Sequence, residues 1–500
     1  MSRNYKIGSP ADKGDNKPPK ILYIIVVTLG FYFLWSSLPK VEMGNEPPLM
    51  TDRELLEKIS ELTSFVGPDE HKISTAQRRL AVLGKKIFFD KRFSSNEQVS
   101  CATCHDPQHS FTDKRKLAIG VAEASRNTPP IINMAESSWF FWDGRADSLA
   151  LQALGPLFHE KEMGLTPRSL AQKVSAYYKK EYETLFGRFP RNIVGSDGAE
   201  NIQFVNSKSN QMSLEMGAYG LATVSSFTIL DNILQTSAKM NKAPAILLNE
   251  LSRERTLDHN LLSKNGEPSS NEDLEKIALN IGLTLEAFQL GLVAKKSPFD
   301  DFLSSIIATR DVPNSLSEKF GSRELDGLKI FLGQGNCALC HNGSNFTDQG
   351  FHNIGLPINS YVDEKELPTG RAQGVLDIVK SNFNCDSQKM EFIRSRFSGT
   401  ENKNASCKEL KYLDTENLEL MGSFKTPTLR NISLTGPYMH DGRFETLEEV
   451  IEHYDTLNGR TAIGHREESL KPLNLSEERK RKLIAFLNAL TSEIEDLTEK

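Results

Sequence analysis

Two clusters in this chain have the residue types and spacing for covalent redox chemistry. They are Cys101, Cys104 and His105, and Cys337, Cys340 and His341, each reading Cys-x-x-Cys-His. Two thiols about one helical turn apart can add to the two vinyl groups of one porphyrin. The adjacent imidazole then lies under the ring and reaches the iron. Zinc would ask for four ligands per site, and no second Cys or His pair lies near either motif. A redox dithiol would sit in a βαβ context, and alternating strand runs are scarce here. The pattern predicts two covalently bound haems c, with His105 and His341 as ligands of the first and second iron. Cys385 and Cys407 remain, in a polar loop, and are expected to form a disulfide in an oxidising compartment.

The elements that must position these groups read as mainly α. Thr51 and Glu54 make a capping box before the helix ELLEKISELTSF. Further helices are expected over 75–90, 166–187 and 273–293, with a last one from Ser476 to about Leu490. The segment of about 190–270 is rich in Asn, Ser and Gly and reads as an insertion. One repeat organises the rest. LGKKIFFD precedes CATCHDPQHSFTD, and LDGLKIFLGQGN precedes CALCHNGSNFTD. Helix, haem motif and a Phe-Thr-Asp loop thus occur twice, as an internal duplication would leave them. Two cytochrome c-like haem domains in tandem are expected, over 51–300 and 301–500.

The chain has 500 residues, 38% hydrophobic and 25% charged, with 60 Lys and Arg against 66 Asp and Glu. A net charge of −6 gives no basic footprint for nucleic acid. Residues 21–39 carry no charge and follow a cationic segment, 1–20. That pattern predicts an uncleaved single-pass anchor with 1–20 in the cytoplasm, 40–50 as a linker and the haem domains outside. The expected location is therefore the inner membrane, with the catalytic domains in the periplasm.

Three long stretches go further. RNTPPIINMAESSWFFWDGRADSLALQALGPLFHEKEMG, GNCALCHNGSNFTDQGFHNIG and FKTPTLRNISLTGPYMHDGRFETLEEVIEHYD resemble the bacterial di-haem cytochrome c peroxidase and MauG family. The resemblance covers most of 75–190 and 270–490. It implies that the first haem takes peroxide and the second transfers electrons. It places a catalytic carboxylate on Glu162, with His159 a nearby alternative, because an acid–base group above the open iron face can move protons during O–O cleavage. It puts Trp142 between the haems as an electron or hole relay. It implies a possible calcium ion at Asn127, Thr435 and Pro437, and it allows a homodimer.

The second haem's other axial ligand divides the family. Conventional members carry Met 14 residues after the His of PYxHDG, here His440; this chain carries Tyr454, as MauG-like members do. Thr446 and Glu449 form a capping box, and Leu447, Val450, Ile451 and Tyr454 share one helical face. His453 points about 100° away on that helix, and Met439 lies outside the family position. A phenolate is anionic and favours high oxidation states, whereas methionine favours ferrous iron. Conventional members also place a removable His 16 residues past the first motif His, where this chain has Val121. His109 is too close to His105 to replace it. These departures predict a MauG-like peroxidase with an open first haem, a His/Tyr second haem and a bis-Fe(IV) state. A conventional peroxidase fed by a small cytochrome or copper protein is the alternative. Oxidation of a partner protein is not carried over, because the tryptophan that serves it just before the second motif is Gly335 here.

Overall fold

The computed structural model describes residues 46–59, 62, 73–190, 193, 271–313, 315–357, 369–380, 420–459 and 461–499. The described residues from Leu49 onward form one compact unit. No described helix is long and apolar enough to cross a membrane, and the expected anchor at 21–39 lies outside the described residues. So do Cys385 and Cys407, and most of the 190–270 insertion.

Among the described residues Leu49–Lys500 is mainly helical, with two short two-stranded sheets. It holds two large hydrophobic cores, one per haem motif. In the first lobe α2 (Thr75–Phe89) packs across α7 (Asn271–Leu290), and α4 (Leu149–Phe158) and α5 (Pro167–Tyr177) cover α7. In the second, α9 (Ser322–Leu332) packs across α12 (Glu477–Asn488), with α8 (Pro298–Thr309) alongside. Both crossings hinge on a glycine. A Cβ on Gly84 would lie 1.9 Å from the Thr284 carbonyl oxygen, and one on Gly327 would lie 2.0 Å from that of Lys482. The two glycines hold equivalent places in LGKKIFF and DGLKIFL, so the sequence repeat is a repeated helix crossing.

The lobes exchange their ends. Helix α1 (Asp52–Lys58), expected with the first domain, buries Leu55 in the second core, and Ile59 and Leu62 follow it. Lys58 donates to the Leu332 carbonyl at 3.1 Å, and Lys329 pairs with Asp52 at 2.6 Å. Conversely, strand β4 (Ile494–Asp496) pairs antiparallel with β1 (Leu292–Ala294), beside the first lobe. Asp496 and Glu499 both pair with Lys85 on α2 at 2.5 Å. The boundaries at 51 and 301 thus miss a reciprocal exchange, which no local periodicity encodes.

Other differences are local. The helix expected over 166–187 is two, α5 and α6 (Lys179–Phe186), broken where Tyr178 takes a non-helical conformation and its hydroxyl donates to Asp90 at 2.9 Å. The helix expected to Val293 stops at Leu290, where Gly291 packs against Thr498 and β1 begins. Capping boxes at Thr51, Ser74 and Thr446 start α1, α2 and α11 (Leu447–Thr456).

Candidate haem sites

Each motif is built the same way. Cys101–Cys104 forms one helical turn, α3, and Cys337–Leu339 a tighter one. His105 and His341 follow directly. His105 Nδ1 lies 3.0 Å from the Phe111 carbonyl oxygen, and His341 Nδ1 3.0 Å from that of Phe346. A carbonyl only accepts, so both Nδ1 atoms carry the proton and both Nε2 lone pairs are free for a metal. Phe111 and Phe346 adopt left-handed conformations, φ 58° and 53°. Such a conformation costs a bulky residue about 1–3 kcal/mol. It turns each carbonyl back onto its histidine, which gives the repeated Phe-Thr-Asp loops their function. Burial holds His105 down at about 4 and lowers His341 as well, so both are neutral, the form that binds iron.

The thiols fit the same reading. Burial pushes Cys101, Cys104 and Cys337 up to about 12. A redox dithiol needs a depressed value, so these sulfurs are suited to thioether formation rather than exchange. Cys340, Asp348 and His352 have ligand atoms within 4.8 Å of one another. A metal held there would compete with haem attachment, since the thioether consumes the Cys340 thiol.

The space above the second motif is a cavity of about 510 Å³, within the roughly 300–1,000 Å³ range of cofactor sites. Its wall is mostly apolar and includes Cys337, Cys340, His341, Tyr454, Met439 and His440. Tyr454 projects from α11 into it, and its hydroxyl has no hydrogen-bond partner among the described residues. Burial drives that hydroxyl's pKa well up, helped by the fields of Cys337 and Cys340, so a phenolate there needs a cation beside it. His453 is turned away, with Nε2 3.1 Å from the Ile354 carbonyl oxygen. His440 stacks on Phe424 with centroids 3.6 Å apart.

Trp142 comes from the first lobe's sequence yet lines this second cavity. Its Nε1–H donates to the Asn127 carbonyl at 2.9 Å, and the Asn127 amide donates to the His440 carbonyl at 2.9 Å. Asn127, Thr435 and Pro437 also border the cavity, Pro437 after a cis bond.

Sequence reasoning missed this cavity's polar end. His352 Nε2 lies 2.8 Å from Asp348 and Nδ1 3.1 Å from Glu467. Its bond to Asp348, then its contact with Cys340, hold it at about 11 against burial. Burial takes Lys425 down to about 8, against the pull of Asp348. Asp348 is four residues from His352, but Glu467 is 115 residues away and leaves no local signal for the cluster.

At the first motif, a described cavity of about 60 Å³ is lined by Cys101, Cys104, His105 and Glu162, with Gln152, Ala153 and Pro156 from α4. Gln152 and Pro156 were not singled out in the sequence, although their i, i+4 spacing puts them on one face. His159 lies outside this lining. Its Nδ1 accepts from the Lys161 amide at 3.3 Å, so its 3.6 Å approach to Glu162 is not a hydrogen bond donated by that nitrogen. The loop holding Val121 is stitched to the same carboxylate's backbone: Val121 N–H donates to the Glu162 carbonyl at 2.8 Å, and Ala122 N–H to Lys161 at 2.9 Å. A Cβ on Gly120 would lie 2.3 Å from the Glu162 carbonyl oxygen. His109 pairs with Asp106 at 3.0 Å and is half exposed.

The sequence is also similar to those of known di-haem proteins. The sequence profile of di-haem cytochrome c peroxidase matches residues 78–209. Methylamine utilization protein MauG of Methylorubrum extorquens is 27% identical over 413 residues, covering 82% of this chain and 78% of that protein. Cytochrome c551 peroxidase of Pseudomonas aeruginosa is 24% identical over 422 residues, covering 84% and 80%. The solved diheme peroxidase BthA of Burkholderia thailandensis superposes with a TM-score of 0.51 at 19% identity, covering 86% of this chain and 89% of that one, a likeness of fold.

Proposed function

We propose, from the premise that this chain belongs to the di-haem cytochrome c peroxidase and MauG family, that it is the MauG-like kind of peroxidase. The observation that carries the reading is Tyr454, which lines the second haem cavity with a hydroxyl that has no hydrogen-bond partner among the described residues, where a conventional member would present methionine.

When bound, the two haems supply peroxide reduction at the first site and storage of the resulting oxidising equivalents across both. The residues divide the remaining work. His105 and His341, each fixed by its Phe carbonyl, hold the irons from one side. Glu162 moves the peroxide protons, and Gln152 and Pro156 shape the space beside it. The backbone bonds between Val121 and Glu162 close off the loop from which a removable histidine would come, which supports an open first haem without reductive activation. Tyr454 supplies an oxygen ligand that stabilises oxidised iron. Trp142 couples the sites, its N–H held by the Asn127 carbonyl, an acceptor that favours a positively charged indole.

Around this core we place a membrane anchor at 21–39, periplasmic catalytic domains, a Cys385–Cys407 disulfide, calcium at Asn127, Thr435 and Pro437, and a homodimer. The conventional peroxidase remains the rival. One equivalent of hydrogen peroxide added to the fully oxidised protein separates them. The MauG-like reading expects a near-infrared charge-resonance band and two Fe(IV) Mössbauer signals. A protein that reacts only after half-reduction, or that shows sulfur opposite His341, is the conventional enzyme.

A further inference from the structure

Trp139 sits three residues before Trp142, and the fold treats the two indoles oppositely. The Arg371 guanidinium lies over Trp139, 4.2 Å from its centroid, and over Phe351, 4.1 Å from that ring. Arg371 is buried at 3% exposure, and its Nη1 donates to the Gly144 carbonyl at 2.7 Å. Gly144 has φ +66°, and a Cβ there would meet both Phe351 and Arg371 within 2.6 Å. The contact of Arg371 with both rings is therefore a built feature.

It also lies beside the expected hole path. Trp142 accepts the Lys425 amide at 2.7 Å, Lys425 pairs with Phe351 across the β2–β3 ladder (Phe351–His352 and Phe424–Lys425), and Phe351 meets Trp139 at 6.3 Å. Trp139 is half-buried, so an oxidised ring there is open to water.

We infer that Arg371 is a positioning residue that keeps oxidising equivalents off Trp139 and so confines them to Trp142 and the cofactors. This rests on the MauG-like reading above. A neutral indole attracts the guanidinium through its ring face. Loss of an electron turns that attraction into repulsion between two positive groups about 4 Å apart. Trp142, whose N–H faces a carbonyl, is biased the other way. Without the cation, Trp139 is consumed. One indole C–H bond breaks and a C–O bond forms with oxygen from water. The two electrons and two protons released reduce one hydrogen peroxide to two waters. The sum is tryptophan plus hydrogen peroxide giving hydroxytryptophan plus water.

The experiment treats the di-haem protein with one equivalent of peroxide and no donor, follows the near-infrared band, and measures oxygen addition at Trp139 by peptide mass spectrometry. The parent keeps Trp139 intact. Arg371→Gln raises Trp139 oxidation at least fivefold and shortens the band's lifetime several-fold. Arg371→Lys, which keeps the charge but loses the planar guanidinium, stays near the parent. If Arg371→Gln fails to load both haems, Arg371→Met is the neutral probe, since its chain fills the space beside the rings. Equal Trp139 oxidation in parent and neutral variants, or a lysine variant that behaves like glutamine, overturns the inference while leaving the band in place. A parent with no band overturns the underlying reading and the inference with it.

Discussion

The two lobes share one half of a haem site and differ in the other. On the histidine side they are near copies: a glycine-hinged helix crossing, a one-turn Cys-x-x-Cys-His, and a left-handed phenylalanine whose carbonyl holds the histidine Nδ1. In the rest of each described cavity they differ. The first lobe presents Glu162, Gln152 and Pro156, and the second presents Tyr454 and Met439. Duplication copied the part that attaches a cofactor, and divergence fell on the part that decides what the cofactor does. Catalysis and storage should therefore respond to separate substitutions.

The largest effect is expected from Glu162→Gln. The amide keeps the shape but carries no exchangeable acid. Positioned acid–base groups contribute typically ~10²–10⁴-fold, so the rate of peroxide reaction followed by stopped-flow should fall by at least about 10²-fold. The second haem's resting spectrum should not change. A fall of less than about tenfold would move the proton transfer to another group.

The lobes also differ in how they bury charge. In the second, Arg430 and Asp300 are both nearly inaccessible but pair through two bonds of 2.6 and 2.9 Å, and Arg430 also donates to Ser344. In the first, Glu286 on α7 is fully buried and neither carboxyl oxygen has a hydrogen-bond partner among the described residues. Burial pushes it up to about 8 from an ordinary 4.5. The folded state therefore holds a proton that the unfolded state releases, and stability falls as pH rises from about 4.5 to about 8. By pH 7 the loss is about 3 kcal/mol. Glu286→Gln should remove that slope, so the variant gains on the parent by about this amount between pH 4.5 and 7 in chemical denaturation. Parallel pH profiles would mean that Glu286 is ionised and paired in the loaded protein.

Much of this was legible because chemistry fixes spacing. Cys101–His105 and Cys337–His341 must be local, since one porphyrin edge sets both thiols and the histidine, and the Phe-Thr-Asp loops must follow at a fixed distance. The capping boxes at Thr51 and Thr446 are four-residue signals and appear where the sequence places them. The exchanged ends were not legible. Leu55 is as apolar as any residue of the first core, and only tertiary packing assigns it to the second. The His352–Asp348–Glu467 cluster was hidden for the same reason: Glu467 is 115 residues from its partner. Glu162 and Tyr454 lie between these cases. Their surroundings are in the structure, but their selection from the sequence came through resemblance to a family.

The sharpest test of the division between lobes is also the smallest in energy. Under the proposed reading, Tyr454→Met replaces an anionic oxygen ligand with a neutral sulfur in a cavity already lined by Met439 and Leu447. Thioether ligation favours ferrous iron, and axial ligands span about 0.8 V in all. The second haem's potential should therefore rise by on the order of 0.1 V, measured by spectroelectrochemistry. The near-infrared band should be lost, because the oxygen donor that stabilises the oxidised second iron is gone. The same reading assigns the first phase of the peroxide reaction to Glu162 and the other lobe, so it should keep its rate. A potential unchanged by the substitution would mean that Tyr454 does not reach the iron, and the differing halves of the two sites would then need another explanation, with Met439 the next residue to replace. A slowed first phase would mean that the lobes are coupled before electrons move, through the Trp142–Asn127–His440 chain of hydrogen bonds that joins them.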